Sequence, residues 1–109
     1  MKVLFTGGRD RSVEFEVLDE LRQVYDITHV VHGGARGVDT SVNLWALSCS
    51  LPITAVPGEW DKWGGIAGHM RNQRMLEHKP DLVIAFPGRT GTADMVERAT
   101  AAGVKVVFR

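Results

Sequence analysis

The sequence predicts an α/β fold, a doubly wound parallel sheet of five strands in the order 3-2-1-4-5 with helices on both faces. Two observations predict it. Five short runs rich in β-branched and aliphatic residues alternate with four segments of helical periodicity. The connections carry whole helices, which parallel neighbours need as crossovers. At 109 residues the chain is expected to be one domain, residues 1–109, just large enough for a single sizeable core.

Val3 to Thr6 is a continuous apolar run that stops at Gly7-Gly8, as a strand buried on both faces does. Val17, Leu18, Leu21 and Val24 then fall at helical spacing, and Ser12 or Asp10 is available as a cap. The second strand, Thr28 to His32, ends at Gly33-Gly34 and leads into a helix marked by Val38, Val42, Trp45, Ala46 and Cys49. Ile53 to Val56 is the third strand, set between Pro52 and Pro57. The long connection from Pro57 to Gly68 holds Trp60 and Trp63, and the helix from about Ala67 to His78 has a weak stripe of Met70 and Leu76. Pro80 biases Lys79 out of that helix. Asp81 to Phe86 is the fourth strand. The last helix is expected from about Ala93, lined by Met95, Val96, Ala99 and Ala102, before a fifth strand from Val104 to Phe108.

Thirteen basic and thirteen acidic residues cancel, so no bulk positive field is available for a nucleic-acid backbone. Arg9, Arg11, Arg36, Arg71, Arg74 and Arg89 nonetheless lie in or beside loops and can form a local patch. The lone Cys49 reads as a small buried hydrophobe. No apolar run is long enough to cross a membrane and no signal-peptide pattern is visible, so a cytoplasmic setting is expected.

In a 3-2-1-4-5 sheet the switch point lies between the first and fourth strands, and ligands bind at the carboxyl edge there. Two glycine-rich loops meet at that point, Gly7-Gly8-Arg9-Asp10 and Pro87-Gly88-Arg89-Thr90-Gly91-Thr92. The second precedes a helix, where free amides and the helix dipole favour an anion. Gly33-Gly34-Ala35-Arg36-Gly37-Val38-Asp39 lies in the equivalent place after the second strand; Arg36 can fork onto a phosphate, and Asp39 is either a helix cap or an acceptor for a ribose hydroxyl. Trp60 or Trp63 either stacks on a nucleobase or covers the sheet edge. Arg71 and Asn72 can point at the crevice, Arg74 reads as a solvated face, and His69 reads as a helix cap or surface residue, with a general base as the alternative. No metal-ligand spacing and no Ser/His/Asp arrangement is visible; neither a metal nor a cofactor is expected.

These residues, with Ala67-Gly68, Arg71-Asn72-x-x-Met75 and Thr92-Ala93-Asp94-Met95, come in the order of one group. The chain resembles the YspA-like (YpsA-related) branch of the SLOG superfamily, Rossmann-like domains that include the lonely-guy proteins and the DNA-processing protein A. The resemblance implies a nucleotide-binding fold with ligands such as AMP, ADP-ribose or NAD-like molecules, and homodimers. Lonely-guy phosphoribohydrolases carry Pro-Gly-Gly-x-Gly-Thr, then two residues and a catalytic Glu, with a catalytic Arg on the preceding helix. Arg71 matches that arginine. Arg89 stands at the second glycine and Met95 at the glutamate. Asp94, one residue earlier, is turned by about 100° on the helix; its expected role is to favour the helix dipole, the alternative being that it reaches the crevice. The expectation is a protein that binds or senses a nucleotide derivative. The alternatives are a nucleotide hydrolase using Arg71 and Asp94, and a single-strand nucleic-acid binder.

Overall fold

The structure, a computed structural model, describes residues 1–109. The chain runs β1 (Lys2–Thr6), α1 (Phe15–Tyr25), β2 (His29–His32), α2 (Val38–Ser48), β3 (Ile53–Ala55), α3 (Trp60–Trp63), a 3-10 turn (Gly64–Ile66), α4 (Ala67–Glu77), β4 (Leu82–Ala85), α5 (Thr90–Ala101) and β5 (Lys105–Phe108). All strand pairs are parallel, in the order β3-β2-β1-β4-β5. β1 is central, with Val3 beside Val30 on one flank and Leu82 on the other.

The middles of the three inner strands are apolar because both faces are covered there, and their two-residue period divides the core in two. Val3, Phe5, Val30, Leu82 and Ile84 meet Leu18 and Leu21 of α1 and Val38, Val42, Trp45 and Ala46 of α2. Leu4, Val31 and Val83 meet Met75 of α4 with Met95 and Ala99 of α5. Trp45 is fully buried, edge-on to Phe5, and its indole N–H donates to Asp19 at 2.9 Å. Cys49 is half-buried against this larger core rather than inside it. No helix is long and apolar enough to cross a membrane.

Several local expectations are corrected. α1 is preceded by Glu14, without a side-chain cap, so neither Ser12 nor Asp10 caps it. Val24 is exposed; Tyr25 completes the stripe instead, because at 100° per residue Val24 lies about 90° from the Leu18–Leu21 midline. α4 does not bury a Met70–Leu76 stripe: its inner face is Ala67, Gly68, Arg71, Asn72 and Met75, polar in the middle. Ala102 is the exposed C-cap of α5. α5 itself begins at Thr90, three residues earlier than expected. Threonine and glycine are poor helix formers, but the first turn makes few helical bonds, so propensity counts little there.

Candidate functional site

The carboxyl ends of β1, β2 and β4 open into a crevice of about 910 Å³. Its walls are the β1–α1 loop, the β2–α2 loop, the Pro87–Arg89 loop with the first turn of α5, and one side of α4 capped by Trp60. The loops are fastened to each other. Gly8 N–H donates to Pro87 O at 2.9 Å, and Val38 N–H donates to Gly8 O at 3.2 Å. A β-carbon on Gly88 would overlap the Thr92 hydroxyl and sit 2.9 Å from Gly8 N; one on Gly33 would lie 2.5 Å from Arg71 Nη1. Glycine at position 88 is therefore needed for loop packing whatever the crevice holds, while at position 33 it makes room for the Arg71 side chain. Gly91 has open space where a β-carbon would point.

Of the residues singled out in the sequence, Gly7, Gly8, Arg9, Gly33, Ala35, Arg36, Asp39, Trp60, Arg71, Asn72, Pro87, Gly88, Arg89, Thr90, Gly91 and Thr92 all line this one crevice. Gly34 does not. It turns outward in the left-handed region (φ 67°) and its N–H donates to His32 Nδ1 at 3.0 Å. Trp63 also lies outside, against Lys62. Arg11, Ser12 and His69 join the wall; the loop position after the first strand was the only signal for Ser12.

Arg71 lies at the back of the crevice, 9% exposed. Nη1 donates to Gly33 O at 2.6 Å and Nε to Asn72 Oδ1 at 3.1 Å. Both acceptors are neutral, and no carboxylate forms an ion pair with this guanidinium. Burial pushes its pKa down, with Asp39 opposing and Arg9 and Arg74 reinforcing the fall. Asn72 spends both amide hydrogens on α5, on Gly91 O at 3.1 Å and Asp94 Oδ2 at 2.9 Å. One side chain therefore orients Arg71 and ties α4 to the start of α5.

Asp39 is not the cap of α2, a place taken by Gly37. Its Oδ2 accepts from the amides of Gly33 at 3.1 Å and Ala35 at 3.2 Å, which shapes the β2–α2 loop. Burial pushes its carboxyl pKa up; the two amides, His32 and Arg71 oppose the rise.

At α5 the first helical bond runs from Ala93 N–H to Arg89 O at 3.0 Å, and no side chain caps the helix. The amides of Thr90, Gly91 and Thr92 are thus left at the crevice with the positive end of the helix dipole. Arg89 reaches Asp10 at 3.9 Å, both largely exposed. The Arg9 guanidinium lies 5.5 Å from the Trp60 ring centroid and covers the other end.

Two roles differ from expectation. Arg74 is not a solvated face: it donates to Pro57 O at 2.8 Å, pairs with Glu59 at 3.1 Å, and its Nε is buried without a partner. It straps the connection carrying Trp60 to α4. Asp94 is not left to the helix dipole alone. Its Oδ2 also accepts from Arg98 Nε at 2.8 Å, and its Oδ1 lies 3.5 Å from His69 Nδ1. Met95 is fully buried in the core.

Residues 1–63 match the family described as YspA, cpYpsA-related SLOG, a span that includes Arg9, Arg36, Asp39 and Trp60. The chain is also 38% identical over 118 residues to the gene 61 protein of Mycobacterium phage D29, covering 97% of this chain and 94% of that protein. That similarity extends through Arg71 and the Pro87–Thr92 loop.

Proposed function

The chain belongs to the YspA, cpYpsA-related SLOG family, and from that premise we propose that the crevice binds a nucleotide or nucleotide derivative through its phosphate. The observation that carries the reading is Arg71, a buried guanidinium whose hydrogen-bond acceptors are both neutral and whose nearby carboxylate, Asp39, forms no ion pair with it. A charge taken out of water without a counter-ion is costly, and a bound anion at its free Nη2 removes that cost. The uncapped start of α5 supplies amides to the same anion, and Trp60 offers a ring face for a base. Asp39 accepts from a ribose hydroxyl. The protein is a cytoplasmic homodimer in this reading, paired through apolar surface such as Leu44 and Leu47 of α2, which is exposed in the single chain.

Calorimetry and thermal shift against AMP, ADP-ribose, NAD and cyclic nucleotides test it. Binding is expected for at least one of them. Arg71→Met weakens it roughly 10- to 100-fold, the worth of a hydrogen bond to a charged group. No shift with any phosphate compound at millimolar concentration overturns the reading, and tight binding of a single-stranded oligonucleotide at physiological salt in its place redirects it.

A further inference from the structure

We propose that the crevice also hydrolyses its phosphate ligand, with His69 as the general base that deprotonates a water for attack at phosphorus and Asp94 as the residue that positions it. The proposal rests on the anion-binding reading. Asp94 belongs to the start of α5, its side chain 16% exposed. Its Oδ2 is held twice, by Asn72 Nδ2 at 2.9 Å and Arg98 Nε at 2.8 Å. This leaves Oδ1 facing His69 Nδ1 at 3.5 Å. A carboxylate placed this way favours the imidazole with its proton on Nδ1 and leaves Nε2 free to accept one. The separation is longer than a formed hydrogen bond. It closes by rotation of an imidazole that is half exposed and makes no other bond.

Asn72 sits one turn beyond His69 on α4 and bonds both Asp94 and Arg71. The base, its orienting carboxylate and the anion holder are therefore parts of one connected network at one wall. Phosphorus is the electrophile that this network serves. The crevice sets five arginines against two aspartates, a surplus of positive charge that suits an electrophile carrying phosphoryl oxygens. Charge developing on a phosphoryl group meets Arg71 Nη2 and the free amides of α5. In the step, the water oxygen bonds to phosphorus while Nε2 takes one water proton. The phosphorus–oxygen bond to the leaving group breaks, and the leaving oxygen keeps the electron pair and takes the proton back from the imidazolium. One water is consumed, and nothing is oxidised or reduced.

The test uses ADP-ribose as an anhydride probe and AMP as a monoester probe, each incubated in oxygen-18 water. Phosphorus NMR reads isotope on phosphorus, chromatography reads free adenine, and calorimetry reads binding. The wild-type protein is expected to place the isotope on phosphorus with at least one probe. His69→Gln loses about 100-fold or more in kcat with KM little changed, imidazole restores turnover to His69→Ala, and Asp94→Asn lowers kcat without raising KM. Binding of both probes without isotope incorporation overturns the proposal, as does full turnover by His69→Gln or failure of imidazole rescue. Free adenine with unlabelled phosphorus overturns the choice of electrophile. Absence of binding overturns the anion reading instead.

Discussion

Asp39 and Arg71 are opposite charges at the back of one crevice that do not form an ion pair, and each is disfavoured by burial. Asp39 meets its cost with two backbone amides, while Arg71 has only neutral acceptors. The consequence for Asp39 is measurable. Its pKa is raised from 3.8, so in the window above 3.8 the folded protein holds a proton that the unfolded chain has released. Stability therefore falls as pH rises through that window. Asp39→Asn keeps an oxygen for the two amides and removes the titration. Urea midpoints from about pH 4 upward are expected to show an extra loss in the wild-type protein that the variant lacks. Parallel profiles would refute the assignment.

Among the elements, the helix starts share one feature: none of the five helices has a side-chain cap. At α5 this leaves amides for a ligand, but at α1 it serves nothing in the crevice. Glu14 already has extended backbone (φ −67°, ψ 144°) and its carbonyl accepts from Val17 N–H at 3.1 Å. Glu14→Asp keeps the charge at the dipole and shortens the side chain to capping length. It is expected to add about 1 kcal/mol and to raise Tm by roughly 5 °C, read by thermal denaturation. The strands and the sheet order were legible because each apolar run is short and continuous and connected through a crossover. α3 was not, since Trp60–Trp63 is a single turn between glycines and has no period to detect. The gathering of Arg9, Arg36, Arg71 and the Pro87–Thr92 loop was legible from their places after strands. The bonds of Asn72 and Arg74 were not, because polar residues on a helix reveal their partners only when the neighbouring elements are in place.

At the scale of the molecule, a neutral chain has sorted its charges. Arg9, Arg11, Arg36, Arg71 and Arg89 line the crevice against Asp10 and Asp39, a surplus of three positive charges. The chain as a whole sums to zero, so the rest of the molecule carries a balancing surplus of three negatives. Sequence composition conceals this, since it reports only the sum. Most of these arginines are exposed and only Arg71 is deeply buried, so salt should act on them unequally. Raising ionic strength from about 0.05 M to about 0.5 M shortens the screening length from roughly 14 Å to roughly 4 Å. That removes the outer arginines' attraction for an anion and leaves the direct contact at Arg71. Titration calorimetry is expected to show the affinity for ADP-ribose falling roughly tenfold over this range, mainly through slower association. Adenosine, which shares the base and ribose but lacks the phosphate, is expected to show little change. Equal salt dependence for the two compounds would mean that the sorted charge does not act on the phosphate.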